Sequence, residues 1–473
     1  MPRTPRVLVI GGGIGGLAAA LALERQRAEV IVCEQSPKLS EIGAGIGLAP
    51  NAIKALRALG LEDKINAAAY ASEFAVIRSW RDGREISRSY QGDYREKFGA
   101  PSVTIHRADL LGILADGLRS ADIRLGLRCV AVAPRANGAV ARFADGSEIE
   151  ADLVVGADGI HSKVRESLFG ADAPRFTGCI CFRSMAPAEA VPPDVNTANV
   201  TLWMGPRGHV VHYLVRRGEL LNIVAHIDSD AWTEESWTRE CDVAEVMTTY
   251  ARWNSALTRV FPTSARWYKW ALYDRDPPER WSKGRATLLG DSAHAMLPYL
   301  GQGAAMAIED GCVLAGAIAR SADDLDAALT AYEKLRKPRA SQAVLGSRAR
   351  ARENHLTSPL ARWRRDLQYA WRKRSAAIRP CFRPDGSMTM TPGGSWRKVD
   401  ASLRVVPRRA GKMKKREPYC FLLRPNRYRG WEVGGGRATR QPGQVRKEAA
   451  LTSAVRVARQ PPTLSYRGIS GPD

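Results

Sequence analysis

The sequence predicts an α/β protein: a parallel sheet wound with helices, split along the chain by a β-rich segment and completed after it. Three observations predict this. From Val7 to Glu34 an apolar strand, a glycine-spaced turn, an apolar helix and a second apolar strand follow one another. Between Thr177 and Trp270 the pattern changes to strands with one helix among them. At Ala286 an apolar strand of the first kind returns. Interleaving of this sort sets a second β domain beside the first, with a cleft between them.

The opening unit reads VLVIGGGIGGLAAALALERQRAEVIVCE. Val7 to Ile10 form a buried strand, Leu17 to Leu23 a helix, and Val30 to Cys33 the next strand. Glycines at Gly11, Gly13 and Gly16 have the G-x-G-x-x-G spacing of a dinucleotide-binding turn. Gly11 permits the tight turn, Gly13 lets backbone approach a pyrophosphate, and Gly16 lets the helix pack on the strand. Gly15 belongs to the same helix start, whose free N–H groups attract phosphate. Glu34 follows Gly16 by 18 residues, at the tip of the second strand, where a carboxylate accepts from a ribose diol. The unit is expected to bind a cofactor with an ADP moiety.

Bulk properties narrow the class. A chain of 473 residues with 45% hydrophobic and 25% charged residues can build a large globular core. No apolar run approaches the roughly 18–20 residues that span a bilayer, so no membrane association is expected. Eight cysteines lie in no zinc-like or disulfide-like spacing, which reads as reduced thiols in a cytoplasmic protein without a metal site. The net charge of +22 would suggest nucleic acid, but +15 of it falls in residues 375–473, with 21 Lys+Arg against 6 Asp+Glu. The rest is only mildly basic, and no nucleic acid is expected as a partner.

Further along, Gly43, Gly45 and Gly47 precede a helix periodic at Ile53, Leu56 and Leu59. Short strands span Phe74 to Arg88 around an Asp82-Gly83 turn. A helix is expected from His106 to Ile123, capped at or near Asp109. Strands follow at Arg128–Ala133, Ala139–Phe143 and Glu148–Glu150. A buried strand, Leu153–Val155, runs into Asp158-Gly159, with a helix starting near Ser162. One helix is expected from Asp242 to Trp253, and two helices between Asp324 and Ala351.

The second strong motif is ATLLGDSAHAMLP, from Ala286 to Pro298. It leaves the Asp291 carboxylate at the carboxyl end of a parallel strand, where open α/β sheets bind ligands. The following Gly301-Gln302-Gly303-Ala304 opens a helix whose N–H groups can face an electron-rich ring edge. His294 and Pro298 read as framework, with no proton transfer assigned to His294.

Together, the glycine turn with Glu34, the GADGIHSKVR segment and Gly290-Asp291 resemble the single-component flavin aromatic hydroxylases, such as salicylate, 3-hydroxybenzoate and 6-hydroxynicotinate hydroxylases. The resemblance covers roughly Arg6 to Arg374. It implies a para-hydroxybenzoate-hydroxylase-like fold, a Rossmann-like FAD-binding domain interleaved with a β-sheet substrate domain, plus C-terminal helices. It implies FAD as cofactor, NADH or NADPH as reductant, O2 as co-substrate and hydroxylation through a flavin C4a-hydroperoxide. Asp158 is linked by it to both cofactors and Arg107 to the FAD pyrophosphate, while Gly47 and Val130 join the cofactor set with Gly303 and Ala304. A small aromatic substrate and a homodimer are within what it implies. Gly47 stands where hydroxynicotinate members carry a larger polar residue, which counts against that substrate.

Strand parity narrows the substrate face. In GHVVHYLV, His209, Val211, Tyr213 and Val215 share one face, and Val210, His212 and Leu214 the other. His209 and Tyr213 are candidates to bind a phenolic hydroxyl and promote its ionisation, and the resembling hydroxylases carry a His and a Tyr at this spacing. Gln302 is the third candidate. His212 reads as outward or structural. The expected division is 1–73, 101–176 and 271–322 for the FAD-binding domain, and 74–100 and 177–270 for the substrate domain. Residues 323–374 give the C-terminal helices, and 375–473 a basic, disordered extension. The alternative is another FAD-dependent oxidoreductase or epoxidase of this fold with a non-phenolic substrate. A flavin halogenase is disfavoured, because Trp267 and Trp270 are followed by Ala271-Leu272 and lack the Ile-Pro of the W-x-W-x-I-P motif.

Overall fold

A computed structural model describes residues 4–39, 44–195, 198–229, 239–321 and 324–374. The basic extension 375–473 lies outside the described residues. Chain order begins β1 (Arg6–Ile10), α1 (Ile14–Arg25), β2 (Glu29–Cys33), β3 (Gly45–Leu48), α2 (Pro50–Ala58) and α3 (Glu62–Ala68). Then come β4 (Phe74–Ser79), β5 (Glu85–Tyr90), α4 (Tyr94–Phe98), β6 (Val103–His106), α5 (Arg107–Ala115) and β7 (Asp122–Arg124). Three short strands, β8 (Cys129–Pro134), β9 (Ala139–Phe143) and β10 (Glu148–Ala151), lead to β11 (Leu153–Gly156) and α6 (Lys163–Phe169).

The β-rich stretch holds β12 (Arg175–Pro187), β13 (Val200–Gly205), β14 (Gly208–Val215), β15 (Leu220–Asp228) and β16 (Glu240–Cys241). It continues through α7 (Val243–Thr249), α8 (Ser255–Thr258) and β17 (Trp267–Asp274). The chain then returns with β18 (Ser282–Lys283), β19 (Ala286–Leu288), α9 (Asp291–His294), α10 (Gly303–Arg320), α11 (Leu325–Asn354) and α12 (Pro359–Arg374).

These strands form two main sheets. One has the order β18-β19-β11-β1-β2-β7. β1 runs parallel to both β2 and β11, and β11 parallel to β19. Its central strands β1, β2, β11 and β19 are buried, which is why they read as continuous apolar runs. The other is β16-β17-β12-β15-β14-β13-β4-β5, largely antiparallel with one parallel pair, β13 with β4. No helix among the described residues is long and apolar enough to cross a membrane.

Three local expectations differ. The helix expected over His106–Ile123 stops at Ala115, and Asp122–Arg124 instead pairs with β2 as an edge strand. Asp109 does not cap that helix; its carboxylate takes a two-pronged ion pair from Arg216 at 3.0 and 3.1 Å. The two helices expected between Asp324 and Ala351 are one 30-residue helix that runs through Pro338. A proline inside a helix costs about 3 kcal/mol. Arg336 and Arg339, on either side of it, are tied to acids of α10, and those ties hold the helix together.

Candidate active site

The glycine turn has the shape the spacing demands. Gly11 sits at φ +107°, and a Cβ there would lie 2.4 Å from the Ala157 carbonyl oxygen. A Cβ on Gly16 would lie 1.9 Å from the Gly11 carbonyl oxygen, so strand and helix touch backbone to backbone. Gly15 is hemmed in by Leu289 and Ala307, whereas a Cβ on Gly13 would meet nothing within 4 Å. That open flank lies at the N-terminus of α1, which has no side-chain cap and no acid in its first turn. Such an end is a seat for anionic phosphate. Glu34 ends β2, and its carboxylate already accepts from the Gly12 and Ser36 amides at 2.6 and 2.8 Å. Each oxygen keeps a further lone pair for a diol.

Around this turn the other candidates divide. Asp158 is committed to protein: it accepts from Ser162 Oγ at 2.5 Å and from the Lys163 and Val164 amides. It therefore holds the start of α6 against the glycine turn, and burial pushes its carboxyl above the ordinary range. Arg107 begins α5, where its amide donates to the Ala44 carbonyl at 2.7 Å. Val130 is 39% exposed and sits in a bulge of β8. Gly47 lies in β3 with open space beside its Cα and borders the main cavity.

Gly290, at φ +63°, turns the chain from β19 into α9, so that Asp291 faces the same cavity. Behind it, the Gly290 amide and His294 Nε2 both bond Asp310 Oδ2, at 3.1 and 2.5 Å. Arg336 bridges Asp310 and Glu309, with Arg339 adding to Glu309. Burial opposes charge on both acids. His294 and Arg336 nonetheless hold Asp310 below its usual range, and Arg336 and Arg339 hold Glu309 at about 2. His294 is thus a structural partner of Asp310. The network also orients Gln302. Asn51 Nδ2 donates to Glu309 at 2.7 Å and to Gln302 Oε1 at 3.1 Å, which fixes the amide sense and leaves the Gln302 NH2 for the cavity. Gln302 caps α10, and Gly303 and Ala304 form its first turn, which contains no acid.

The cavity, about 640 Å³, is bordered by one face of the larger sheet and by the β3 and Gly301–Gln302 segments. His209, Val211 and Tyr213 all line it. His212, on the other face, instead accepts from Trp203 Nε1 at 3.1 Å, and burial lowers it to about 4. Burial raises the Tyr213 phenol to about 12. His209 lies well below its ordinary value because burial, then His226, His355 and Arg350, disfavour its cation. A second cavity of about 480 Å³ lies beside Leu21, Glu24 and Cys312, and none of the glycine-turn residues borders it.

Residues 4–347 match the family described as FAD binding domain. A 3-amino-4-hydroxybenzoate 2-monooxygenase of Streptomyces platensis is 41% identical over 353 residues, covering 74% of this chain and 89% of its own. The chain belongs to the FAD-dependent aromatic monooxygenases. A 6-hydroxynicotinate 3-monooxygenase of Pseudomonas fluorescens is 34% identical, over 72% of this chain and 90% of its own. The structure of a salicylate hydroxylase substrate complex superposes with a TM-score of 0.68 at 27% identity, covering 78% and 93%. FAD fits the residues present: the open flank at Gly13 suits a pyrophosphate, and the acid-free start of α10 suits the flavin's electron-rich edge.

Several residues that line the monooxygenase cavity escape sequence reasoning. His226 is the cross-strand partner of His209, and parity would have found it only with the strand register known. Arg350, Asn354 and Tyr369 come from α11 and α12, beyond the last recognisable motif. Arg183 of β12 stands over the Trp270 ring at 4.6 Å. Asn51, Glu309 and Arg336 carry the network behind Gln302, and the one available signal was an adjacent acid pair inside an apolar helix.

Proposed function

We propose that the enzyme hydroxylates a small phenolic aromatic acid, with NADH or NADPH as reductant and O2 as co-substrate. The observation that carries this reading is the single strand face on which His209 and Tyr213 line the cavity together with Gln302 of the cofactor side. Reduced FAD with O2 supplies the electrophilic oxygen. The chain's own residues do the rest: His209 accepts the ring-hydroxyl proton, and the Tyr213 hydroxyl and the Gln302 amide hydrogen-bond the ring substituents. Arg183 and Arg350 provide positive charge for a carboxylate. Phenolate character activates the ring positions ortho and para to the hydroxyl. The substrates named for the relatives above each join a ring hydroxyl to a carboxylate. Gly47 brings no side chain to the cavity, which favours a benzoate over a ring-nitrogen substrate.

The reading includes Glu34, Asp158, Asp291 and Arg107 in cofactor binding, the domain division given above, a homodimer and a cytoplasmic location. Its test is a panel of aromatic acids offered to the FAD-loaded protein, scored for NADH and NADPH oxidation coupled to hydroxylated product. Substrate-stimulated oxidation with matching product supports it. Lack of stimulation by every hydroxybenzoate refutes it.

A further inference from the structure

Behind His209 lies a line of groups that substrate binding does not require. His209 Nδ1 is 2.7 Å from His355 Nε2, and His355 Nδ1 is 2.5 Å from Asp228 Oδ1. His355 directly follows α11, whereas Asp228 ends β15, so two distant parts of the chain meet here. His209 and His355 are buried, while the Asp228 side chain is 33% exposed. The line therefore runs from the cavity wall to the surface.

With Asp228 ionised and His355 neutral, the carboxylate only accepts, so His355 carries its proton on Nδ1 and presents a lone pair at Nε2. That lone pair accepts from His209 Nδ1–H, which leaves His209 Nε2 unprotonated. Nε2 makes no hydrogen bond among the described residues, and His209 lines the cavity. The carboxylate two residues away thus sets a basic nitrogen facing the substrate.

We propose that Asp228, His355 and His209 form a proton relay that carries the substrate's ring-hydroxyl proton from the cavity to the surface. It rests on the reading of His209 as the group that accepts that proton. The phenolic O–H bond breaks, with its electron pair left on oxygen, and the proton goes to His209 Nε2. The Nδ1 proton of His209 passes to His355 Nε2, and the Nδ1 proton of His355 passes to Asp228 and on to water. The reverse sequence, protonating the product's phenolate, restores all three groups.

The surroundings suit a group that passes its proton on. His226 of β15 stacks on His209 at 4.5 Å, Tyr299 meets it edge-on at 5.0 Å, and Arg350 of α11 adds positive charge nearby. An imidazolium held among them is disfavoured, and a path outward relieves it. Cys179 shares the site with Asp228 and His355, their ligand atoms all within 4.8 Å. Burial raises its thiol to about 12, and its sulfur accepts from Tyr299 at 3.2 Å, so it does not compete for the proton.

The test uses the FAD-loaded full chain with 3-amino-4-hydroxybenzoate and 3-hydroxybenzoate. It reads the apparent pKa of the bound ring hydroxyl from its ultraviolet phenolate band, together with kcat and KM for coupled hydroxylation. Asp228→Asn and His355→Gln are expected to raise that pKa by about one unit and lower kcat at least about tenfold with KM little changed. Asp228→Glu restores much of the activity, and His212→Gln, on the opposite sheet face, leaves both readings unchanged. His209→Gln should reproduce or exceed the effect. Should His209→Gln act while Asp228→Asn and His355→Gln match the wild type, the relay is overturned and the His209 reading stands. Should His209→Gln also leave both readings unchanged, both fall. If His355→Gln fails to fold, Asp228→Asn alone decides, because its side chain sits partly in solvent.

Discussion

The two main sheets are built from similar apolar strands, but the sites proposed on them differ in kind. At the six-stranded sheet the proposed cofactor seat is largely backbone: Gly11 and Gly16 leave no room for a side chain, Gly13 and Gly303 have open space beside them, and the helix starts present N–H groups. At the eight-stranded sheet it is side chains, with His209, Tyr213, His226 and Arg183 projecting from one face into the cavity. At Gly11 and Gly16 that backbone leaves no space for an added atom. A site made of side chains can change its chemistry while its strands stay as they are.

Substitutions can break or sharpen that contrast. The largest expected effect is Gly16→Ala, because the new carbon would sit 1.9 Å from a carbonyl oxygen. Nearly complete loss of bound flavin, read as flavin absorbance per mole of purified protein, is the expected outcome, and normal flavin content would contradict the backbone account. Next is Arg336→Met, which leaves Glu309 and Asp310 buried without their shared cation. Breaking a buried pair in this way costs about 3–5 kcal/mol, measured as reduced stability in denaturant, with Gln302 misaligned as a consequence.

On the side-chain sheet, Tyr213→Phe removes one hydroxyl and should lower coupled hydroxylation about tenfold without altering flavin content. Parallel loss of flavin would mean that the two regions are not separable.

Acid provides a subtler comparison. His106, His209, His212 and His226 all have folded-state values below the ordinary 6.5. As pH falls below 6.5 the unfolded chain takes up protons that the folded chain refuses. Each histidine then costs up to about 1.4 kcal/mol per pH unit until its own folded value is reached, near 4 for His212. Glu309 adds a separate loss between 4.5 and about 2. Melting temperature against pH should therefore decline from 6.5 downward, and substitution of His212 by Gln should flatten the upper part of that decline. The smallest effect is expected from ending the chain after Arg374, since every candidate cofactor and substrate residue precedes that point. Flavin content and turnover should be unchanged.

The same contrast explains what was legible in the sequence. The glycine turn, Glu34 and Gly290-Asp291 are contiguous signals, because a turn that binds phosphate is a local device. Strand parity assigned His209 and Tyr213 to one face, since alternation is also local. His226, Arg350 and His355 were not legible, because their meeting depends on strand register and on where a helix docks. Helix ends misled where tertiary contacts override local pattern. Asp109 answers to Arg216 rather than to its own helix, and Pro338 sits inside a helix braced by arginines on both sides.

That braced helix, α11, has a further consequence. Arg336 grips the acids behind the cofactor side, and His355, nineteen residues on, completes the line behind His209. At 1.5 Å per residue the two are about 28 Å apart along one rod. Each residue added or removed between them would turn one end by about 100° against the other, so His355 would face away from His209 while Arg336 kept its hold. The helix works as a ruler that fixes angle as well as distance: Arg339 and Arg348 add ion pairs between the two grips, so its register is held along its whole length.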